Sequence, residues 1–225
     1  MVQRLPPLNA IVDVDLARRE GWNPLDLASA FLDGGARFLQ LRAKHAASGE
    51  LLDLASAVVE RVHAAGGLLV VNDRADIARL AGADGVHVGQ DDLAPAAVRL
   101  VTGGLAFVGL STQTEGQVDA ALTVRDDGLP GQPIDYLAVG PVFRTTTKAT
   151  GCDAVGLERV RYAAARAGAQ GVPVVAIGGI TLDLAPAVIA AGATSVAVIG
   201  DLLATGDPEK RVRAFVERLA GKGNV

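Results

Sequence analysis

Apolar, β-branched runs and longer Ala/Leu-rich stretches take turns along the whole chain. The runs cover residues 8–12, 38–41, 68–71, 85–88, 107–110, 136–139, 174–177 and 195–199. Most are hydrophobic at nearly every position, the pattern of parallel strands covered on both faces. Between them the spacing predicts helices over residues 24–33, 49–65, 77–81, 95–101, 115–122, 157–167, 182–190 and 208–219. Gly82 and Gly192 stand in repeated Ala-Gly-Ala triplets just before strands, where glycine ends a helix. Eight β-then-α units in 225 residues are the arithmetic of one α/β domain, a closed (β/α)8 TIM barrel over residues 1–225. An open doubly wound sheet is the competing arrangement. Nothing in the chain reads as a linker; the Gly/Pro-rich stretch at 126–133 reads as a long loop before the sixth strand.

Composition narrows the function classes. Half the residues are hydrophobic and 20% are charged, which excludes a disordered chain. Lys+Arg total 21 against 25 Asp+Glu, a net charge of −4, so the basic field of a nucleic-acid binder is missing. The single cysteine, Cys152, rules out an internal disulfide framework and a Cys-based zinc site. Apolar stretches reach only about ten residues against the ~20 a membrane helix needs, and the start has no secretory pattern. The expectation is a cytoplasmic protein acting on small molecules, without membrane or nucleic-acid partners. Homo-oligomer formation is left open.

In a barrel of this type, chemistry gathers at the C-terminal strand ends. After the second run, Gln40, Arg42 and Lys44 alternate with apolar neighbours and so share one side. Two cations and an amide at the mouth suit an anion; the alternative is a solvated loop with both cations turned outward. Asn72-Asp73-Arg74 follows the third run and Gly89-Gln90-Asp91-Asp92 the fourth. Carboxylates on neighbouring strand ends repel unless a cation sits between them. Hard oxygen ligands suit Mg²⁺, which takes one or two carboxylates plus phosphate oxygens, so Asp73 and Asp92 are the candidate ligands. The competing arrangement has Asp92 capping the helix near Pro95 and Asp73 paired with Arg74.

Ser111-Thr112-Gln113 follows the fifth run. After the sixth come Thr145, Thr147 and Lys148, hydroxyls around a lysine that suit phosphate oxygens, or else an ordinary surface loop. Gly178-Gly179 and Ile199-Gly200 end the last two runs, where glycine lets backbone N–H groups approach a phosphate; tight βα turns also want glycine. The mouth thus reads as a Mg²⁺-held diphosphate site at strands two to four and a phosphate-monoester site at strands seven and eight. His87 reads as a hydrogen-bonded interior residue, His45 and His63 as surface residues, and Cys152 not as a nucleophile.

Five segments in register resemble the thiamine-phosphate synthase (thiamin phosphate pyrophosphorylase) family: QLRAK at 40–44, VNDRADIA at 71–78, ADGVHVGQDDL at 83–93, DYLAVGPVFRTTTK at 135–148 and VAIGGIT at 175–181. The resemblance runs from about residue 8 to 219 and implies a (β/α)8 barrel. It implies Mg²⁺-dependent joining of 4-amino-2-methyl-5-hydroxymethylpyrimidine diphosphate to 4-methyl-5-(2-phosphoethyl)thiazole, giving thiamine phosphate and pyrophosphate. By motif, Gln40, Arg42 and Lys44 match pyrimidine-diphosphate contacts, Asn72 a diphosphate contact, and Asp73 and Asp92 the Mg²⁺ ligands. Ser111 matches the serine beside the pyrimidine. Thr145, Thr147 and Lys148 match the loop that binds thiazole phosphate and pyrophosphate. Gly179 (or Gly178), Ile199 and Gly200 match the thiazole-phosphate backbone site. Arg42, Lys44, Lys148 and Ser111 form the catalytic set this implies. Arg42→Ala and Lys148→Ala are each expected to cut turnover with modest effect on folding.

Two positions depart from the family pattern: Gln113 stands where a histidine is usual, and Gly200 where a serine is usual. A related tautomerase branch keeps the fold, lacks the diphosphate residues and uses a histidine; this chain has the reverse. A tautomerase-like enzyme and a non-catalytic phosphate-metabolite binder are the other readings.

Overall fold

The computed structural model describes residues 5–104, 107–123, 134–144 and 153–220. Eight parallel strands run in chain order: β1 (Leu8–Asp13), β2 (Phe38–Arg42), β3 (Leu68–Asn72), β4 (Gly85–Val88), β5 (Phe107–Thr112), β6 (Tyr136–Val139), β7 (Val174–Ile177) and β8 (Ser195–Val198). Each pairs with the next, and β8 pairs back onto β1, so the sheet is a closed barrel rather than an open one. Among the described residues the helices are α1 (Val14–Arg19), α2 (Pro24–Asp33), α3 (Ser48–Ala64), α4 (Ala75–Ala81), α5 (Pro95–Thr102), α6 (Glu115–Leu122), α7 (Gly156–Gly168), α8 (Ala185–Ala190) and α9 (Pro208–Ala220). A 3-10 turn, Gly200–Leu202, follows β8.

Period-two alternation sorts each strand into two cores. Leu8, Ala10 and Val12 of β1 pack outward with Leu27 and Phe31 of α2 and Phe215 of α9, whereas Ile11 faces inward with Phe38, Val70, Tyr136 and Val175. Apart from polar or glycine positions such as Asn9, His87, Gly109 and Ser195, both faces of the strands are apolar, which is why the strand sequences are nearly continuous hydrophobic runs. Fully burying one Leu, Ile, Val or Phe side chain contributes roughly 1.5–3 kcal/mol.

The strand register sets the height of each inward group. Asn72, His87, Gly109 and Tyr136 form one row across β3 to β6, and Ser111 lies level with Ala138 on β6. On the other side Asp13 lies level with Arg42. Polar residues fill the upper rows because each follows the apolar part of its strand.

Most element boundaries fall within two residues of those the sequence predicts, and three departures have an identifiable local cause. Helix α1 was not anticipated; it starts because the Asp13 carboxylate accepts the Leu16 N–H at 2.9 Å and caps it. Helix α8 begins at Ala185 rather than 182, since Leu184 and Ala185 first turn back onto the Thr181 carbonyl. Strand β8 ends at Val198, because Ile199 (φ −118°, ψ −84°) leads into the 3-10 turn. The expected loop over 126–133 lies outside the described residues.

Candidate active site

The strands β2 to β4 bring the expected anion and metal residues together. Gln40 is buried, and its Nε2 donates to Asn72 Oδ1 at 2.9 Å, tying β2 to β3. Arg42 Nη1 donates to Asp13 Oδ2 at 2.5 Å. Lys44 Nζ donates to Asp73 Oδ2 at 2.5 Å. Neither cation turns outward into solvent unpaired. The buried Arg42 Nε has no hydrogen-bond partner among the described residues.

Asp73 and Asp92 meet at the rim. Burial pushes the Asp73 carboxyl above its ordinary value and the neighbouring Asp92 adds to this, while Lys44 acts the other way. At Asp92 burial also acts upward. It is outweighed by the Gly89 N–H, Asp73 and Lys44, which hold that carboxyl below its ordinary value. The alternative structural roles do not occur. Asp92 accepts from Gly89 N at 2.8 Å, and α5 is preceded by Ala94 with no side-chain cap. Arg74 pairs with Asp76 rather than Asp73.

Asp73 stands in the left-handed region at φ 65°, the one described non-glycine residue to do so. Aspartate tolerates that conformation better than most side chains. Its own N–H donates to the His87 carbonyl at 2.8 Å, so the turn is pinned to β4 beside Asp92.

The other half of the mouth is a cavity of about 680 Å³ bounded by the ends of β5 to β8, with Ser111, Gln113, Arg144, Gly179 and Gly200 in its wall. Gly178 (φ 103°) and Gly179 (φ 63°) are needed for shape: a Cβ on them would stand 2.5 Å from Pro141 Cα and 2.4 Å from the Arg144 carbonyl oxygen. Packing against the chain after β6 thus requires glycine here, whatever the backbone N–H groups bind. Ile199 precedes the 3-10 turn begun by Gly200. Asp201 is held by Arg211 Nη2 at 2.7 Å and the Leu182 N–H at 3.0 Å. Gln113 lines the cavity while its N–H donates to Gln117 Oε1 at 2.8 Å, next to the Thr114–Gln117 capping box that starts α6. Thr145, Thr147, Lys148 and Cys152 lie outside the described residues.

His87 is a buried, hydrogen-bonded interior residue as the sequence suggests; Tyr136 and Ser111 lie at 2.8 Å from its two ring nitrogens. His45 and His63 are surface residues beside Asp15 and Asp84. Sequence reasoning missed Asp13, Gln90, whose Nε2 donates to the Ser111 carbonyl at 2.6 Å, and Arg144. Asp13 carried the one available signal: it is the polar residue closing the first apolar run.

Residues 8–202 match the family model described as Thiamine monophosphate synthase. The chain belongs to that family. A thiamine-phosphate synthase of Koribacter versatilis is 42% identical over 218 residues, covering 96% of this chain and 97% of the relative. The enzyme of the same name from Chlorobium luteolum is 41% identical over 197 residues, covering 88% of each. Among solved structures, the thiamine phosphate pyrophosphorylase of Pyrococcus furiosus superposes with a TM-score of 0.83 at 26% identity, over 99% of each chain. Membership of the thiamine monophosphate synthase family and the barrel topology thus agree along nearly the whole sequence.

Proposed function

We propose that the protein is a thiamine-phosphate synthase. It joins 4-amino-2-methyl-5-hydroxymethylpyrimidine diphosphate to 4-methyl-5-(2-phosphoethyl)thiazole and releases pyrophosphate. The observation that carries the reading is the contact of Asp73 with Asp92 at the rim, faced by Lys44 and with Arg42 on the same strand end. Two carboxylates forced together, one of them pushed up by burial and by the other, form a donor set that suits a hard divalent cation. Among the described residues no third acidic, His or Cys group joins them. The remaining ligands would be diphosphate oxygens, as is usual for Mg²⁺. When bound there, Mg²⁺ would supply a positive charge against the charge growing on the leaving pyrophosphate.

The chain's own residues do the rest. The Arg42 guanidinium and Lys44 ammonium bind and orient the diphosphate, with Gln40 and Asn72 holding its near end. Lys148, with Thr145 and Thr147, matches the family's phosphate-binding loop and would supply charge and hydroxyls to the pyrophosphate and the thiazole phosphate. Ser111 fixes the pyrimidine. Gly179, Ile199 and Gly200 offer backbone N–H groups to the thiazole phosphate. In the reaction the carbon–oxygen bond to the diphosphate breaks, and its electron pair leaves with pyrophosphate. The electron-rich aminopyrimidine stabilises the resulting benzylic-type cation, and the thiazole nitrogen lone pair forms the new carbon–nitrogen bond. No protein nucleophile is required, and holding both substrates in line contributes much of the rate. His87 is not placed as a general base, since both ring nitrogens face protein partners.

Purified protein given both substrates and Mg²⁺ is expected to release pyrophosphate and thiamine phosphate one to one, and chelation with excess EDTA is expected to stop it. Substrate binding without pyrophosphate release would overturn the reading. We place the reaction in the cytoplasm; no described helix is long and apolar enough to cross a membrane.

A further inference from the structure

The reaction described above does not account for the construction around Tyr136. Its ring is fully buried at the centre of the barrel, stacked on Phe107 at 5.6 Å and on His87 at 5.5 Å between centroids, with Phe38 edge-on at 5.9 Å. Gly109 beneath it has no alternative, because a Cβ there would lie 2.0 Å from Tyr136 Cζ. Residues of β2, β4 and β5 thus converge on one phenol. Its hydroxyl lies 2.8 Å from His87 Nδ1, and His87 Nε2 lies 2.8 Å from Ser111 Oγ.

The direction of this chain of hydrogen bonds follows from Tyr136. Burial pushes its phenol far above the ordinary range, so it keeps its proton. Among the described residues that proton has one hydrogen-bond partner, His87 Nδ1. Were Nδ1 itself protonated, the phenol oxygen would accept, and its own O–H would be stranded without a partner in the barrel interior, which is costly. Tyr136 therefore donates to Nδ1. The imidazole proton is then on Nε2 and is donated to Ser111 Oγ. A hydroxyl has one proton, so Ser111 must point its own elsewhere. Ser111 lines the mouth cavity.

We propose that Tyr136 and His87 are positioning residues that fix Ser111 as a hydrogen-bond donor into the mouth, selecting a heteroaromatic substrate that presents a ring-nitrogen acceptor there. The identity of that substrate as the pyrimidine rests on the function proposed above; the direction of the relay does not.

The test has two arms. Ring nitrogen signals of His87, read by long-range ¹H–¹⁵N NMR on the full-length protein and assigned with His87→Asn, are expected to show the neutral Nε2–H form. Ser111→Ala is expected to leave that form in place, whereas Tyr136→Phe is expected to shift it toward a mixture. A cationic ring, an Nδ1–H ring, or a form that ignores Tyr136→Phe overturns the relay. In the second arm, Tyr136→Phe is expected to raise KM for the pyrimidine diphosphate about tenfold, equivalent to about 1.4 kcal/mol, with kcat changed less. In a Ser111→Ala background the same change is expected to add less than about twofold, as coupled sites do. Equal effects in both backgrounds overturn it. If the wild-type protein releases no pyrophosphate, the functional reading fails and the NMR arm alone decides the relay.

Discussion

At the scale of single residues, the rim depends on conformation as much as on charge. Asp73 needs a side chain that both tolerates φ 65° and reaches Asp92. Asp73→Asn keeps the conformation and removes the charge. It is expected to lower turnover about 100-fold or more, as loss of a charge-stabilising group in a metal-assisted step would, with little change in melting temperature. Asp73→Ala should lose the activity and, in addition, about 1–2 kcal/mol to the left-handed backbone. Comparing thermal melts of the two variants separates these effects; identical melts would show that the turn carries no strain. Arg42 corrects the expectation of a modest folding effect. Its partner Asp13 is 5% exposed and also caps α1, so removing the guanidinium leaves a buried carboxylate unpaired. Arg42→Ala is expected to cost about 3 kcal/mol, the low end for broken buried pairs. Lys44→Ala, with its side chain 43% exposed, should cost at most about 1 kcal/mol while still lowering turnover. Denaturant unfolding of both checks the contrast. The cations were legible in the sequence, since they end an apolar strand. Asp13 was not read as their counterpart, because its role is made by register: it lies 29 residues from Arg42 and becomes its neighbour only through β1–β2 pairing.

At the scale of elements, the strands were legible to within two residues, because burial on both faces leaves little room for polar residues inside them. Helix ends set by local side-chain chemistry were harder. Helix α1 depends on one carboxylate that the sequence presents as the tail of a strand, and the start of α8 depends on turns onto the Thr181 carbonyl. The inward faces of strands were also underread. Gly109 looks like a weak point in β5, yet it makes room for Tyr136. Gly109→Ala is expected to destabilise the barrel by about 1–3 kcal/mol through overpacking, and to displace the phenol from His87; ring signals of His87 should move as they do in Tyr136→Phe. On the outside, Asp119 fastens α6 to α7 through Tyr162 Oη and Arg166 Nε, each at 2.8 Å. The Tyr162 hydroxyl first and Arg166 second hold its carboxyl below the ordinary 3.8. A depressed folded value means that this contribution is present above pH 3.8 and fades as pH falls through the lower folded value. The melting-temperature difference between wild type and Asp119→Asn should therefore narrow below pH 3.8. A gap that stays constant into strong acid would rule out the linkage.

At the scale of the whole molecule, the closed barrel turns groups scattered from Asp13 to Gly200 into one mouth with two halves. One is acidic and cationic at β2 to β4, the other a cavity at β5 to β8. Asp73 and Asp92 provide too few ligands to hold a divalent ion firmly by themselves, and a diphosphate brought next to Asp73 and Asp92 without a cation would meet like charge. In the proposed function each would therefore complete the site of the other, and their binding should be cooperative. Mg²⁺ alone and the pyrimidine diphosphate alone are each expected to raise the melting temperature slightly. Together they should raise it by more than the sum, since a ligand at 100 times its Kd stabilises by about 2.7 kcal/mol, or roughly 5–11 °C for a chain of this size. The excess should vanish in Asp73→Asn, where the acidic pair is broken, and shrink in Lys44→Ala. Neither change should abolish the smaller shift caused by the thiazole phosphate, whose proposed contacts lie across the barrel at Gly179 and Gly200. Additive shifts in the wild-type protein would place the metal and the diphosphate in separate sites, against the shared rim argued for here.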